Sequence, residues 1–225
     1  MNKTKKKSKF QTINNMTLKN EENISTKGQT LNKIKSNMKE PLLIVKYGPP
    51  GSGKSSEVVY DFIKKIGRPM KSYVDINIDT YIEMIQNYRN GLEKGEDLYI
   101  QTRSMKNKSG MSIYEKSKFV LKKAIEQRKN VIIEVTGGYK VGSSGPLAWV
   151  YKLIDKTPYK IIVIYPKVSL ETIIKRLEKR FRKRNIDELK KEYKLSIDNY
   201  KQFLKFSHKR PKFVKVIEVD NEKEI

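Results

Sequence analysis

Eight consecutive residues, Gly48-Pro49-Pro50-Gly51-Ser52-Gly53-Lys54-Ser55, match the phosphate-loop pattern G-x-x-x-x-G-K-[ST] at every fixed position. No other segment constrains the fold so tightly, because the pattern works only between a strand and a helix. Glycines let the backbone turn its N–H groups inward as an anion nest. The first turn of the next helix adds the positive end of a dipole. The lysine of such a loop reaches the β- and γ-phosphates, and the adjacent hydroxyl ligates Mg²⁺. The flanks agree with this reading. Leu42-Leu43-Ile44-Val45-Lys46-Tyr47 reads as a buried strand, and residues 55–66 as a helix with Val58, Val59, Phe62 and Ile66 on one face. An ordinary Gly-Pro turn is the alternative, and the agreement of motif and context outweighs it. Gly48, Pro49, Pro50, Gly51, Ser52, Gly53, Lys54, Ser55 and Ser56 are therefore the candidate ligands of a nucleoside triphosphate, ATP or GTP.

Composition sets the outer limits. The 225 residues suffice for one α/β domain with a tail. Residues 1–39 are polar and lysine-rich and are expected to be a disordered basic tail, with residues 40–225 as the folded domain. No apolar run is long enough to span a bilayer, and no signal peptide is expected, since the basic N-terminus lacks a following apolar stretch. The chain has no cysteine, which excludes disulfides and thiolate metal sites and fits a reducing, cytoplasmic compartment. One histidine excludes any multi-histidine metal cluster. Lys3, Lys5, Lys6, Lys7 and Lys9 cluster in the tail, which reads either as a nuclear-localisation or nucleic-acid patch or as a solvated tail.

The net charge is +24, of which +7 lies in the first 40 residues and +17 in the rest. A field of that size draws polyanions, nucleic acid among them. A lysine-rich compositional bias is the alternative source.

Beyond the loop, strand and helix patterns alternate. Strands are expected at 72–76, 131–136, 160–165 (ended by Pro166) and 213–219. Helices are expected at 79–91, 112–129, 147–154, 169–183 and 186–206. Residues 93–110 are polar and are expected to form a mobile excursion. Buried strands joined by helices imply a three-layer α/β fold of the P-loop NTPase type, with a mainly parallel five-stranded sheet covered on both faces. Ligands then sit beyond the carboxyl ends of the strands.

Chemistry-bearing residues fall at those ends. Glu134 follows Val131-Ile132-Ile133 and occupies the position of a Walker B acid, suited to hold Mg²⁺ with Ser55. Asp75 and Asp79 flank the end of the second strand. Asp79 suits either a helix N-cap or the carboxylate that takes the proton of an acceptor hydroxyl. Seven of the ten residues 175–184 are basic. Arg176 and Arg180 stand one turn apart and are candidates to close over a triphosphate. The alternative is a solvated helix face.

The phosphate loop, Asn77-Ile78-Asp79-Thr80-Tyr81 and Ile133-Glu134-Val135-Thr136-Gly137 together resemble the zeta toxin family of P-loop kinases. The resemblance covers residues 41–184 and is most specific in the loop. It implies a phosphate-binding Lys54, a Mg²⁺-ligating Ser55, a general base at Asp79 and an acid at Glu134. It places the lid arginines near Arg176 and Arg180. It further implies transfer of phosphate from ATP or GTP to UDP-N-acetylglucosamine, and in some members an antitoxin partner. Asp75 and Thr136 are the candidate acceptor contacts. Three departures stand out. Asn77 and Gly138 replace a family aspartate and arginine, with Lys140 the candidate to restore the missing charge. A family glutamate falls near Lys118, with Glu115 one turn away. A polynucleotide 5′-hydroxyl kinase and a non-catalytic nucleotide-binding protein remain the competing functional classes.

Overall fold

A computed structural model describes residues 40–66, 68–106, 110–138, 146–156, 159–179 and 185–222. The tail read at 1–39, Lys140 and Arg180 lie outside them.

Five runs rich in β-branched residues form one sheet: β1 (Leu42–Gly48), β2 (Tyr73–Ile76), β3 (Asn130–Thr136), β4 (Lys160–Lys167) and β5 (Val214–Asp220). The order is β2-β3-β1-β4-β5, and every neighbouring pair is parallel. The chain winds to one side of β1 for β2 and β3 and to the other for β4 and β5. The loops diverge at the carboxyl end of β1, where a doubly wound sheet opens its crevice. Strand alternation sorts the core into two halves. Leu43, Val45, Val74, Val131 and Ile133 face one way, beneath α5 (Ile113–Glu126), α6 (Pro146–Lys156) and α8 (Ile186–Lys209). Ile44, Ile132 and Ile164 face the other way, against Val59 and Ile63 of α1 (Glu57–Lys65). The expected three-layer, P-loop-type architecture is present, and the sheet is parallel throughout.

The details differ in five places. Helix α1 begins at Glu57 rather than at residue 55, and its Val58 points outward at 47% exposure while Ile63 is buried. The helix expected at 79–91 is two helices, α2 (Ile78–Glu83) and α3 (Gln86–Glu93), separated where Ile85 is extended. Strand β4 runs through Pro166 to Lys167. Its pairing with β1 stops at Ile164, so proline is free of any ladder duty on that side, while β5 pairs on to Lys167. The excursion at 93–110 contains α4 (Tyr99–Ser104), pinned by a fully buried Thr102 and by Leu98 packed against Gly91. The basic segment expected to be helical to 183 contains α7 (Leu170–Glu178).

Candidate active site

The loop is built where β1 meets α1. Gly51 (φ +80°) and Gly53 (φ +81°) take left-handed backbone that favours glycine. Backbone bonds from Ser52 N–H to the Pro49 carbonyl (3.2 Å) and from Ser56 N–H to the Gly53 carbonyl (2.9 Å) close the turn. Ser56 then serves as the extended N-cap residue of α1, so the helix's first amides open toward the loop. Lys54 lies across the loop mouth at 6% exposure and donates to the carbonyls of Gly48 (3.1 Å) and Pro49 (3.0 Å).

A polar row crosses the sheet beside the loop. In the β1–β3 register Lys46 stands directly opposite Glu134, and Asn77 follows β2 at the same level. In parallel strands such neighbours share a face, here the face toward α1. Lys46 Nζ lies 3.0 Å from Glu134 Oε2 and 5.2 Å from the centre of the Tyr60 ring, with no solvent exposure. The same carboxylate oxygen accepts from Ser55 Oγ (3.0 Å) and from Asn77 Nδ2 (3.0 Å). The other, Oε1, faces Lys54 Nζ at 4.0 Å. Three groups thus orient Glu134 through one oxygen and leave the second toward the phosphate end of the loop. Burial works against the charge on Glu134, but Lys54 and Lys46 outweigh it and hold its pKa below the ordinary carboxylate value. Burial likewise opposes the charge on Lys46, and Glu134 and Asp75 overcome it, so its pKa sits above the ordinary lysine value.

Asn77 explains one departure noted in the sequence. It is the N-cap of α2: its Oδ1 accepts from the amides of Asp79 (3.0 Å) and Thr80 (3.2 Å) while its Nδ2 serves Glu134. An aspartate would cap equally well but would set a second carboxylate against Glu134. Asp79 is therefore not the cap. It lies in the first turn of α2, exposed, and its Oδ1 accepts a hydrogen bond from the Tyr99 hydroxyl.

The remaining sequence candidates divide. Thr136 stands in register with Gly48, where β3 leaves the sheet, and the Gly137 amide reaches the Gly48 carbonyl (3.4 Å). Asp75 is one level below the polar row, beside Ile132, and only 7% exposed. At Gly138 a Cβ would meet Glu192 Cγ of α8 at 2.8 Å, so the space an arginine would need is already filled. Glu115 is committed to the capping box of α5, where its carboxylate accepts from Ser112 N–H (2.7 Å). Lys118 is exposed. Arg176 of α7 does reach the loop, but through backbone: Nη1 to the Gly51 carbonyl (3.4 Å) and Nη2 to the Asn221 carbonyl (2.7 Å).

Sequence reasoning passed over Lys46, Tyr99 and Asn221. Asn221, just past β5 and 6% exposed, donates from Nδ2 to the Ser52 carbonyl (2.8 Å). It sits so close to Gly53 that any side chain there would collide with it. Lys46 carried a signal, being a lone charge in an otherwise apolar buried strand.

Ser55 and Glu134 offer a hydroxyl and a carboxylate side by side. Such hard oxygen donors suit Mg²⁺, which takes few protein ligands and completes its shell with water and phosphate oxygens. No group of three or more His, Cys, Asp or Glu that could hold a metal ion is found among the described residues. No helix among them is long and apolar enough to cross a membrane.

The chain is similar to known proteins in sequence and in fold. The zeta toxin family profile matches residues 25–224. No curated protein matches the sequence significantly. Among solved structures, a chain of the PezAT chromosomal toxin–antitoxin system of Streptococcus pneumoniae aligns at 16% identity with a TM-score of 0.53, covering 84% of this chain and 70% of that one. Deoxyadenosine kinase from M. mycoides with bound dATP aligns at 21% identity and TM-score 0.42, covering 82% and 93%. Shikimate kinase from Bacteroides thetaiotaomicron aligns at 18% and 0.38, covering 80% and 86%. With a family match over most of its length and a parallel sheet centred on the phosphate loop, the chain belongs to the zeta toxin family and has a P-loop kinase fold.

Proposed function

We propose that the protein is a phosphotransferase that moves the γ-phosphate of ATP or GTP to a hydroxyl of a sugar nucleotide, UDP-N-acetylglucosamine being the first candidate, or of a similarly anionic small molecule. The observation that carries this reading is the chain of hydrogen bonds from Ser55 through Glu134 and Asn77 to the backbone amide of Asp79. It ties the start of α2, and with it the exposed Asp79 carboxylate, to the phosphate loop.

In this reading the loop amides and Lys54 bind the triphosphate. Ser55 and Glu134 are the residues that would hold Mg²⁺, directly or through water, and it would supply positive charge to the phosphates there. Lys46 and Asn77 fix the Glu134 carboxylate. Asp79 takes the acceptor hydroxyl's proton as its oxygen attacks. Arg176 keeps the loop in shape through the Gly51 and Asn221 backbone carbonyls, and Arg180 is the proposed second arginine of the phosphate lid. Thr136 and Lys140 are the proposed acceptor-side contacts, while Asp75, buried one level below the polar row, supports the charge of Lys46. An antitoxin-like protein is the proposed macromolecular partner, in keeping with the toxin–antitoxin source of the structural relative.

One observation favours a second reading. The +17 charge outside the first 40 residues suits a nucleic-acid 5′-hydroxyl acceptor. Label transfer from γ-labelled ATP decides: phosphate on UDP-N-acetylglucosamine supports the first reading. Phosphate on 5′-hydroxyl oligonucleotides, falling steeply with salt, supports the second. ATP binding without transfer to any acceptor would leave a nucleotide-regulated binding protein.

A further inference from the structure

The hydroxyl that Asp79 holds belongs to the protein itself. Tyr99 opens α4, with its amide bonded to Asp97 Oδ1 (3.0 Å), and its phenol donates to Asp79 Oδ1. Its ring is set edge-on to Tyr88, with centroids 6.4 Å apart, and Tyr88 is itself only 6% exposed. One turn on, Thr102 is fully buried. The phenol is therefore presented by an anchored helix rather than by a free tip. The backbone amide of the same Asp79 is tied through Asn77 and Glu134 to Ser55 beside the loop, so the residue that holds the phenol is anchored to the phosphate site.

We propose that Tyr99 is a site of self-phosphorylation. The inference rests on the phosphotransferase reading above: a hydroxyl bonded to the group that receives the acceptor's proton occupies the acceptor's place. In the transfer, a bond forms between Tyr99 Oη and the γ-phosphorus. The bond from that phosphorus to the bridging oxygen of the β-phosphate breaks, and the nucleoside diphosphate leaves with the electron pair. The phenolic proton passes to Asp79. The product carries about −1.5 to −2 charges on Tyr99 at neutral pH. That charge faces the Asp79 carboxylate and repels both it and an anionic acceptor, so the modification shuts the acceptor side. External acceptors compete with Tyr99 for Asp79, and an excess of acceptor spares the tyrosine.

The test uses the full chain with Mg²⁺ and γ-labelled ATP and no acceptor. After denaturation, protein-bound label is counted and its position mapped by mass spectrometry. The proposal expects label approaching one phosphate per chain, on the peptide carrying Tyr99. It also expects a first-order rate that does not change with protein concentration, and loss of label in Tyr99→Phe and Lys54→Ala. Site mapping on the unsubstituted protein decides the matter even if a variant folds poorly. An unlabelled protein in a preparation that labels an external acceptor overturns the proposal and leaves the phosphotransferase reading intact. Label on another residue, or a rate proportional to protein concentration, overturns it as well. Failure to label protein or any acceptor overturns both.

Discussion

Replacing Lys46 by methionine removes one partner of a buried ion pair while nearly keeping side-chain length. Lys46 is fully buried and its partner Glu134 is 13% exposed, so water cannot substitute for the lost ammonium. Stranding one charge of a buried pair costs about 3–5 kcal/mol. Glu134 retains Ser55, Asn77 and, at 4.0 Å, Lys54, which places the cost near the lower end, about 3 kcal/mol. In urea, with a dependence of about 1–3 kcal/mol per molar, the unfolding midpoint should fall by about 1–3 M. The double variant Lys46→Met/Glu134→Gln no longer strands a charge. Its cost should fall short of the sum of the two single costs by about 2 kcal/mol. Equilibrium unfolding of the four proteins closes the cycle. A Lys46→Met midpoint within about 0.2 M of the parent, or strictly additive costs, would refute the claim that the two side chains act as a pair.

The pair should also set a pH window. The Glu134 pKa is depressed in the fold, so its contribution is full above its unfolded value of 4.5 and is lost as pH falls through the folded value. The Lys46 pKa is raised, so its contribution is full below 10.5 and is lost as pH rises through the folded value. The stability gap between parent and Lys46→Met should therefore be flat from about pH 5 to about pH 10, and a peak inside that range would contradict it. Asp79→Asn should lower transfer by about 10²–10⁴ with little change in nucleotide affinity, and normal turnover would remove its role as base. Asn221→Ala leaves the Ser52 carbonyl without its partner and should weaken Mg·ATP binding about tenfold by calorimetric titration, ~1.4 kcal/mol; unchanged affinity would detach Asn221 from the loop's support. Asn77→Asp should lower turnover by at least tenfold (~1.4 kcal/mol) because it trades a donor to Glu134 for a like charge, and full activity would show that this contact is dispensable.

What the sequence made legible follows from periodicity. Val131-Ile132-Ile133 and Lys160 to Tyr165 are runs that only buried strands accommodate, and the loop's glycines can be read without any partner. Contacts that depend on register could not be read this way. Lys46 meets Glu134 only because β1 and β3 lie side by side with those residues opposed. Asn77 stands where the family carries an aspartate, and the reason lies in its two ends, which serve the α2 amides and Glu134 together. Residues 93–110 looked unanchored because the side chains holding α4 are Tyr99 and Thr102 rather than a stripe of aliphatics. Arg176 was placed near the phosphates by its basic neighbourhood, yet its bonds run to the loop's backbone and to Asn221.

The most direct test of the phosphotransferase account is γ-phosphate transfer itself. The purified chain, with Mg²⁺ and γ-labelled ATP, is offered UDP-N-acetylglucosamine, other sugar nucleotides, nucleosides and 5′-hydroxyl oligonucleotides, beside Lys54→Ala and Asp79→Asn. The account predicts label on a sugar nucleotide that both substitutions abolish. Nucleotide binding with no label on any acceptor, or transfer that survives either substitution, would contradict it.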